Sequence, residues 1–359
     1  MKKITLLISL CLCMVGCQNI KAPDSEEAMQ IEIESQVEDN LEISLHEDFS
    51  SEQKNAKIYT LKEESYPIKD EKWIRETAHF LYEGDDYGEL EKIEDNGYVT
   101  WFVEGENNYL GITNTNLYFY SDKEFADNAD NYYRHAGIDA FFSQEASEYY
   151  KEKELDFMSF EDAKKLSDSL IERCGYVYNE QGVQGYALDP DSLNKFASDH
   201  SEEMEDLKSF LEDIQLSFRD SWEKDEGFYV FYYPCEIEGF ELKANDIYAT
   251  TWSAVEIGKD GILRAVVNTE FQVVDSKEQT IISASEAIEK ILTMYKSTIL
   301  TQKVRIYDLE MVYGITGYDD VNKEYTSGPV WEFSVEMETE NGGKETSRIS
   351  YDAVSGERL

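Results

Sequence analysis

The sequence predicts an α+β protein in which helices pack on antiparallel sheets. Strands are indicated in WEFSVEME (331–338), where large apolar side chains alternate with acidic or small polar ones. This alternation is expected of a strand with one buried and one solvated face. A helix is indicated over 69–82, where apolar residues recur at helical spacing. Two further helix starts, at 159–163 and 283–287, carry a serine followed three residues later by an acid.

The length and composition predict a chain that folds over most of its extent. A chain of 359 residues suggests two or three domains rather than one. Hydrophobic residues make up 41% of the chain, which is enough to build buried cores. The chain has only 5 prolines and 20 glycines, which argues against a fibrous or largely disordered protein.

Residues 1–16 are predicted to be a lipoprotein signal peptide. Lys2 and Lys3 precede an apolar run over 4–15, which is about half the length needed to cross a bilayer. Gly16 stands before Cys17, and a small residue precedes the lipidated cysteine in a bacterial lipobox. A lipid on Cys17 would anchor the exported protein at the outer face of the cell membrane. The alternative is an ordinary secretory signal that is cleaved nearby.

Residues 17–56 are predicted to form an acidic flexible tether. Ten acidic residues and one lysine lie between 18 and 50, where apolar residues are sparse. The whole chain carries 33 basic and 76 acidic residues, a formal net charge of −43. Such a chain repels nucleic acid and anionic lipid, so a nucleic-acid partner is excluded and the lipid must supply the membrane contact.

Residues 57–155 are predicted to form an N-terminal α+β domain. The helix over 69–82 is followed by the aromatic, β-favouring runs YVTWFV (98–103) and NLYFY (116–120). Glycines between these runs indicate antiparallel strands joined by turns.

Tyr118 and Tyr120 are candidates for a ligand surface in that domain. Aromatic rings bind glycans and peptides well, but core packing is the alternative for residues in strands. The run FYVFYY (228–233) is apolar on both faces, which predicts a central strand that is covered on both sides.

A weak internal repeat divides the rest of the chain into two units, 156–275 and 276–359. Each unit opens with one of the serine-capped helices and continues as about three antiparallel strands. The first unit contains a hairpin that turns at Asp260 and Gly261, and a helical insertion is predicted over 192–214.

Three segments near the end of the chain resemble PepSY domains, which are small exported units with one helix against an antiparallel sheet. They are SASEAIEKI (283–291), WEFSVE (331–336) and the ending YDAVSGERL (351–359). The resemblance implies two tandem PepSY-like helix-on-sheet units after the N-terminal domain. Taken whole, the chain is similar to uncharacterised lipoproteins of Gram-positive bacteria.

Cys174 and Cys235 are the cysteines that remain in the exported body of the chain. A disulfide between them is one interpretation, because exported proteins meet oxidising conditions. A buried thiol is the other, because Cys174 follows apolar residues at helical spacing.

No catalytic, cofactor or metal motif is found in the sequence. The chain lacks a Gly-x-Ser-x-Gly elbow and a phosphate-binding glycine loop. The four histidines lie far apart and outside any zinc-binding pattern: His46, His79, His135 and His200. We therefore expect a protein that is not an enzyme and needs no cofactor or metal.

Two functions are compatible with these observations. The first is a lipid-anchored envelope protein that binds a protein or peptide partner, with regulation or inhibition suggested by the resemblance alone. The second is a surface lipoprotein that binds a solute or glycan, which predicts a concave, aromatic-lined pocket.

Overall fold

The structure is a computed structural model of the chain. The predicted signal peptide and Cys17 lie outside the residues that it describes. The described residues are 28–38, 40–50, 55–63, 70–82, 87–95, 98–105, 108–113, 116–122, 154–199, 201, 204–205, 208–209, 212, 218, 221–243, 251–268, 270–338 and 344–359.

The described residues contain four α-helices: α1 (Glu71–Leu81), α2 (Phe160–Cys174), α3 (Pro190–Asp199) and α4 (Ala284–Lys296). Each buries one apolar face. None of the helices in this part of the chain is long and apolar enough to cross a membrane.

Most of the described chain is β-structure. Its strands are β1 (Ala28–Glu38), β2 (Leu41–Ser50), β3 (Asn55–Glu63), β4 (Glu91–Asp95), β5 (Tyr98–Glu104), β6 (Tyr109–Ile112), β7 (Asn116–Tyr120), β8 (Gln184–Leu188), β9 (Phe228–Pro234), β10 (Glu236–Ile237), β11 (Phe240–Lys243), β12 (Trp252–Gly258), β13 (Gly261–Asn268), β14 (Phe271–Thr280), β15 (Val304–Asp319), β16 (Glu324–Glu338) and β17 (Lys344–Asp352).

These strands form two large sheets. The first runs in the order β1-β2-β15-β16-β3-β14, with β17 on β16 and the β10–β11 hairpin on β15. The second runs in the order β4-β5-β6-β7-β13-β12-β9-β8 and is antiparallel throughout. Both sheets draw strands from distant parts of the chain.

Three groups of apolar side chains hold the sheets and helices together. The largest lies against one face of the second sheet and includes buried residues of α1, α2 and β3. The second lies between α4 and the strands β2, β15, β16 and β17. The third covers the opposite face of the second sheet, where α3 packs on β9 and β12. Every residue of β9 is buried, which confirms the predicted central strand.

The predicted fold class is wrong. The molecule is mostly β-structure with two large sheets, and it does not consist of tandem PepSY-like helix-on-sheet units after an N-terminal α+β domain. Strand β3 comes from the predicted N-terminal domain, yet it pairs with β16 and β14 of the first sheet. Strand β7 comes from the same domain and pairs with β13. Local alternation identifies strands, but it carries no information about which strands pair across long sequence separations.

The predicted tether is wrong where β1 and β2 lie, over 28–38 and 41–50. Strand β2 pairs in parallel with β15, and Ile43 lies opposite Ile306. Leu41, Ile43 and Leu45 are at most 1% exposed, within the group of apolar side chains under α4. Glu42 and Ser44 separate these three apolar residues. This period of two is typical of a strand, but the many acidic residues of the surrounding segment led to the prediction of a tether.

The local helix signals are confirmed. The Ser159 side chain accepts a hydrogen bond from the Asp162 amide at the start of α2. Ser283 and Glu286 form a complete capping box at the start of α4. The β12–β13 hairpin turns just before Gly261, which has a φ of 105°. The predicted insertion over 192–214 corresponds in its first part to α3, and most of its remainder lies outside the described residues.

We expect Ile43→Ala to destabilise the protein by about 2–5 kcal/mol, because it leaves a cavity in a closed core. Urea unfolding of the full chain measures this change. Glu42→Ala on the same strand is the control, because its exposed pair with Arg305 (3.6 Å) should contribute about 0–1 kcal/mol. If the two variants lowered the free energy of unfolding equally, the prediction of a tether would stand.

Candidate functional site

Helices α1 and α2 form the walls of the first candidate site. Asp70 caps α1 by accepting a 2.7 Å hydrogen bond from the Trp73 amide. Helix α2 ends at Gly175, which takes the left-handed conformation (φ 76°) that glycine adopts without steric cost. The two helices bury Ile74, Ala78, Leu170 and other apolar residues in the same core, so their relative position is fixed by packing.

A hydrogen bond joins the two helices at the site. The Trp73 indole N–H donates to the Arg173 carbonyl oxygen over 3.2 Å. Arg173 lies in the last turn of α2, where carbonyl groups lack partners within the helix. The bond therefore holds the C-terminal end of α2 against the first turn of α1.

The space beside these helices is an open cleft of about 790 Å³, which we call the helix cleft. It is lined by Glu71, Lys72, Arg75, Glu76, His79, Phe80, Tyr87 and Arg173. Arg75 donates two hydrogen bonds to Glu71, of 3.0 and 2.7 Å. Lys72 pairs with Glu76 over 3.5 Å. The rim of the cleft thus consists of two ion pairs on the outer face of α1, each between residues four positions apart.

Aromatic rings form the apolar part of the helix cleft. The Arg173 guanidinium lies 4.8 Å from the centre of the Phe80 ring. Tyr87 stacks on Tyr82 with ring centres 5.7 Å apart, and Tyr82 meets Phe119 edge-on. Burial raises the pKa of Tyr82 to about 12, so this hydroxyl stays neutral at physiological pH.

A second cleft of about 700 Å³, the loop cleft, opens where β8 ends and β9 begins. Its lining combines five acids and two lysines with apolar residues that include Phe157 and Trp222. The Tyr229 hydroxyl accepts from the Leu155 amide (2.6 Å) and donates to the Met158 carbonyl (2.7 Å), so it fixes one wall of the cleft. On another wall, Asp189 caps α3 by accepting from the Ser192 amide over 3.2 Å.

Tyr118 and Tyr120 lie next to each other on one face of β7, and both are half-buried. Tyr109 of β6 joins them, stacked on Tyr120 at 5.4 Å and tilted towards Tyr118 at 6.4 Å. Arg264 lies 5.6 Å from the Tyr118 ring and forms a buried 2.9 Å ion pair with Glu256. The structure brings the two predicted tyrosines together, and their role as a ligand surface stays a prediction.

Cys174 and Cys235 are both buried and are not joined by a disulfide. Both contribute to the large core beside the second sheet. Burial raises the pKa of the Cys235 thiol to about 12, with nearby Glu270 and Glu236 adding to the shift. The structure therefore agrees with the buried-thiol interpretation.

Sequence reasoning missed the helix cleft. It identified the helix over 69–82 and the start of the helix that contains Arg173, but residues 73 and 173 are a hundred positions apart and nothing in the sequence pairs them. The one usable signal was Arg173 in the last turn of an amphipathic helix that ends at Gly175. Among the described residues, no group of three or more histidine, cysteine or acidic side chains is placed to hold a metal ion.

Comparison with known proteins gives the fold and no activity. No protein-family model matches the chain, and no curated protein matches it. Among the solved structures that match is an uncharacterised protein from Eubacterium rectale ATCC 33656, with a TM-score of 0.61 and 15% sequence identity. The match covers 91% of this chain and 92% of that one. The chain is therefore similar in fold to that protein over almost its whole length.

The raised pKa of Cys235 predicts a loss of stability at high pH. The unfolded thiol deprotonates near pH 8.5, whereas the folded thiol keeps its proton until about pH 12. Between these values the folded state binds more protons, so the free energy of unfolding falls as pH rises. Urea unfolding over this range should show a shallower fall in Cys235→Ala than in the wild type.

Thiol labelling provides the control for that experiment. The peptide that carries Cys235 should resist alkylation in the native protein and react after unfolding without a reductant. Rapid labelling of the native protein would contradict the raised pKa. Failure to label the unfolded protein until a reductant is added would show that the two cysteines form a disulfide.

Proposed function

We propose that this chain is a lipid-anchored, extracytoplasmic, non-enzymatic protein that binds a protein or peptide partner at the bacterial cell envelope. The helix cleft is the binding site. The observation that carries this proposal is an open cleft of about 790 Å³ in which aromatic rings lie beside charged side chains.

The shape of the helix cleft favours a peptide over a small solute. Sites for small molecules usually enclose most of the ligand surface. The helix cleft is shallow and open to solvent along α1, so it can bind an extended segment or a side chain that projects from a larger partner. An apolar floor with a polar rim is also the usual anatomy of a protein–protein contact.

The chemistry of the cleft supports binding rather than catalysis. Among the described residues that line it there is no serine, threonine or cysteine, so this part of the lining offers no hydroxyl or thiol nucleophile of the common kinds. The thiol of Cys235 lies in the core, and its raised pKa disfavours the reactive thiolate.

The export and anchoring part of the proposal rests on the N-terminal sequence. Two lysines, a short apolar run and Gly16 before Cys17 are the pattern of a lipoprotein signal. A lipid on Cys17 would hold the folded domain on the extracytoplasmic side, where an envelope partner can reach the helix cleft.

The loop cleft favours a second candidate function, which is binding of a solute or glycan. Its 700 Å³ volume lies within the range of small-ligand sites. Acidic side chains such as Asp191 can accept hydrogen bonds from sugar hydroxyls, while Phe157 and Trp222 contribute apolar surface.

We expect Phe80→Ala to reduce capture of the envelope partner by about tenfold or more, because aromatic anchors in a contact usually carry much of its binding energy. The measurement is mild cross-linking and pull-down from envelope extract, with the full chain as bait. Phe240→Ala is the matched control, because that aromatic side chain is exposed on β11, outside the cleft.

If the wild type and Phe80→Ala captured the envelope partner equally, the helix cleft would not be the binding site. A thermal shift with a sugar that persists in Phe80→Ala and disappears in Asp191→Asn would instead assign the function to the loop cleft.

We expect Cys17→Ala to release the protein from the membrane fraction, because the lipid is its only proposed anchor. Fractionation of cells followed by immunoblotting measures the change. Cys13→Ala is the control, because Leu12 rather than a small residue precedes that cysteine. Unchanged membrane association of Cys17→Ala would show that the lipoprotein interpretation is wrong.

A further inference from the structure

The described residues of the helix cleft carry a charge opposite in sign to that of the chain. The chain has 76 acidic and 33 basic residues, yet the described lining of the cleft holds three permanent cations and two acids, a sum of +1. An acidic cleft would be expected from composition alone. A cationic cleft in a chain of charge −43 is therefore a local feature that composition does not explain.

Two of the three cations are already neutralised. Arg75 holds Glu71 through two hydrogen bonds, and Lys72 lies 3.5 Å from Glu76. Arg173 is the third cation, and it forms no ion pair within the described residues. The excess positive charge of the cleft is therefore located at one guanidinium.

Within the described residues, the Nε of Arg173 has no hydrogen-bond acceptor. That nitrogen is buried, and the guanidinium lies against the Phe80 ring. A partly buried charge without acceptors is costly, because the protein has replaced some of its water without replacing the hydrogen bonds. An anion that enters the cleft would offer acceptors to the N–H groups of Arg173 that line it.

The position of Arg173 suits a planar anion. Its backbone is held by the Trp73 hydrogen bond, and its guanidinium is held near the Phe80 ring at 4.8 Å. An arginine that is fixed in this way loses little entropy on binding, and its parallel N–H groups match the two oxygens of a carboxylate.

We infer that the partner presents an acidic side chain to the helix cleft, that its carboxylate binds Arg173, and that an adjacent apolar side chain contacts Phe80 and Tyr87. This inference rests on the proposed function and adds the chemistry of the partner. Arg173 is the specificity-determining residue, and the ion pairs on α1 form the rim.

A purely structural role for Arg173 makes different predictions. A cation near the C-terminal end of a helix stabilises that helix through the helix dipole, and Lys would serve equally well there. Recognition of a carboxylate depends on the planar fork of arginine, so Arg173→Lys should keep the stability while it loses part of the binding.

Fluorescence anisotropy of the full chain in mild detergent tests the inference. The probes are a set of labelled hexapeptides with glutamate or aspartate next to phenylalanine or leucine, together with their amide and phosphoserine counterparts. We expect acidic peptides to bind at least about tenfold more tightly than the amides, since a charge-assisted bidentate pair is lost. Arg173→Gln should remove this preference, and Arg173→Lys should reduce it.

Arg305→Gln is the matched control, because Arg305 is an arginine outside the cleft that forms an exposed ion pair. Thermal unfolding of every variant separates loss of binding from loss of folding. If acidic and amide peptides bind equally and Phe80→Ala abolishes both, the carboxylate inference is overturned and the proposed function stands.

If the phosphoserine peptides bound more tightly than the acidic peptides, the inference of a carboxylate would also be overturned, and the ligand group would be a phosphate. If no acidic peptide binds while pull-down still depends on Phe80, the inference is wrong and the binding site remains. If neither peptides nor extract proteins depend on the cleft, both the inference and the proposed function fail.

Discussion

The pairing of β15 with β16 is the interaction on which the rest of the structure depends. The ladder runs from Val304 opposite Met337 to Asp319 opposite Glu324, with two bulges that bend it. Strands β2 and β11 add in parallel to separate parts of β15, while β3 and β17 share the other edge of β16. Strands β2 and β3 come from near the start of the chain, β11 from its middle and β17 from its end, so the long hairpin supplies the template on which they meet.

The same hairpin contributes to two cores. Near the β17 end, Phe333 and Val335 pack with α4, whereas near the turn Ile315 and Tyr325 join the large core beside the second sheet. That large core also contains the buried faces of α1 and α2. The helix cleft therefore lies on a packed base that both sheets help to form. The shared core fixes the positions of α1 and α2, and with them the charged side chains of the cleft. Direct contact between these helices and the long hairpin is not required.

Net charge and local charge have different consequences in this protein. The overall charge of −43 controls long-range repulsion, which salt screens beyond about 8 Å under physiological conditions. Contacts within the cleft are shorter than that distance, so a partner that reaches Arg173 meets the local cation more than the distant acids. A partner with a basic surface and one projecting acidic side chain would be attracted at long range and bound at short range. Such a combination would make the acidic surface compatible with a cationic site.

The sequence by itself determined the local elements, including the helix over 69–82, the serine caps at 159 and 283, and the buried strand FYVFYY. These signals depend on side chains and hydrogen bonds a few residues apart, so they can be seen in one segment. Only the tertiary structure decided that β2 is a strand and not part of a tether. It also decided that the strands form two sheets, each built from distant segments, in place of tandem units. The contact between Arg173 and Trp73 was likewise visible only in the tertiary structure. Each of those outcomes is a contact between segments far apart in the chain, and hydrophobic alternation gives a strand its buried face without specifying its partner.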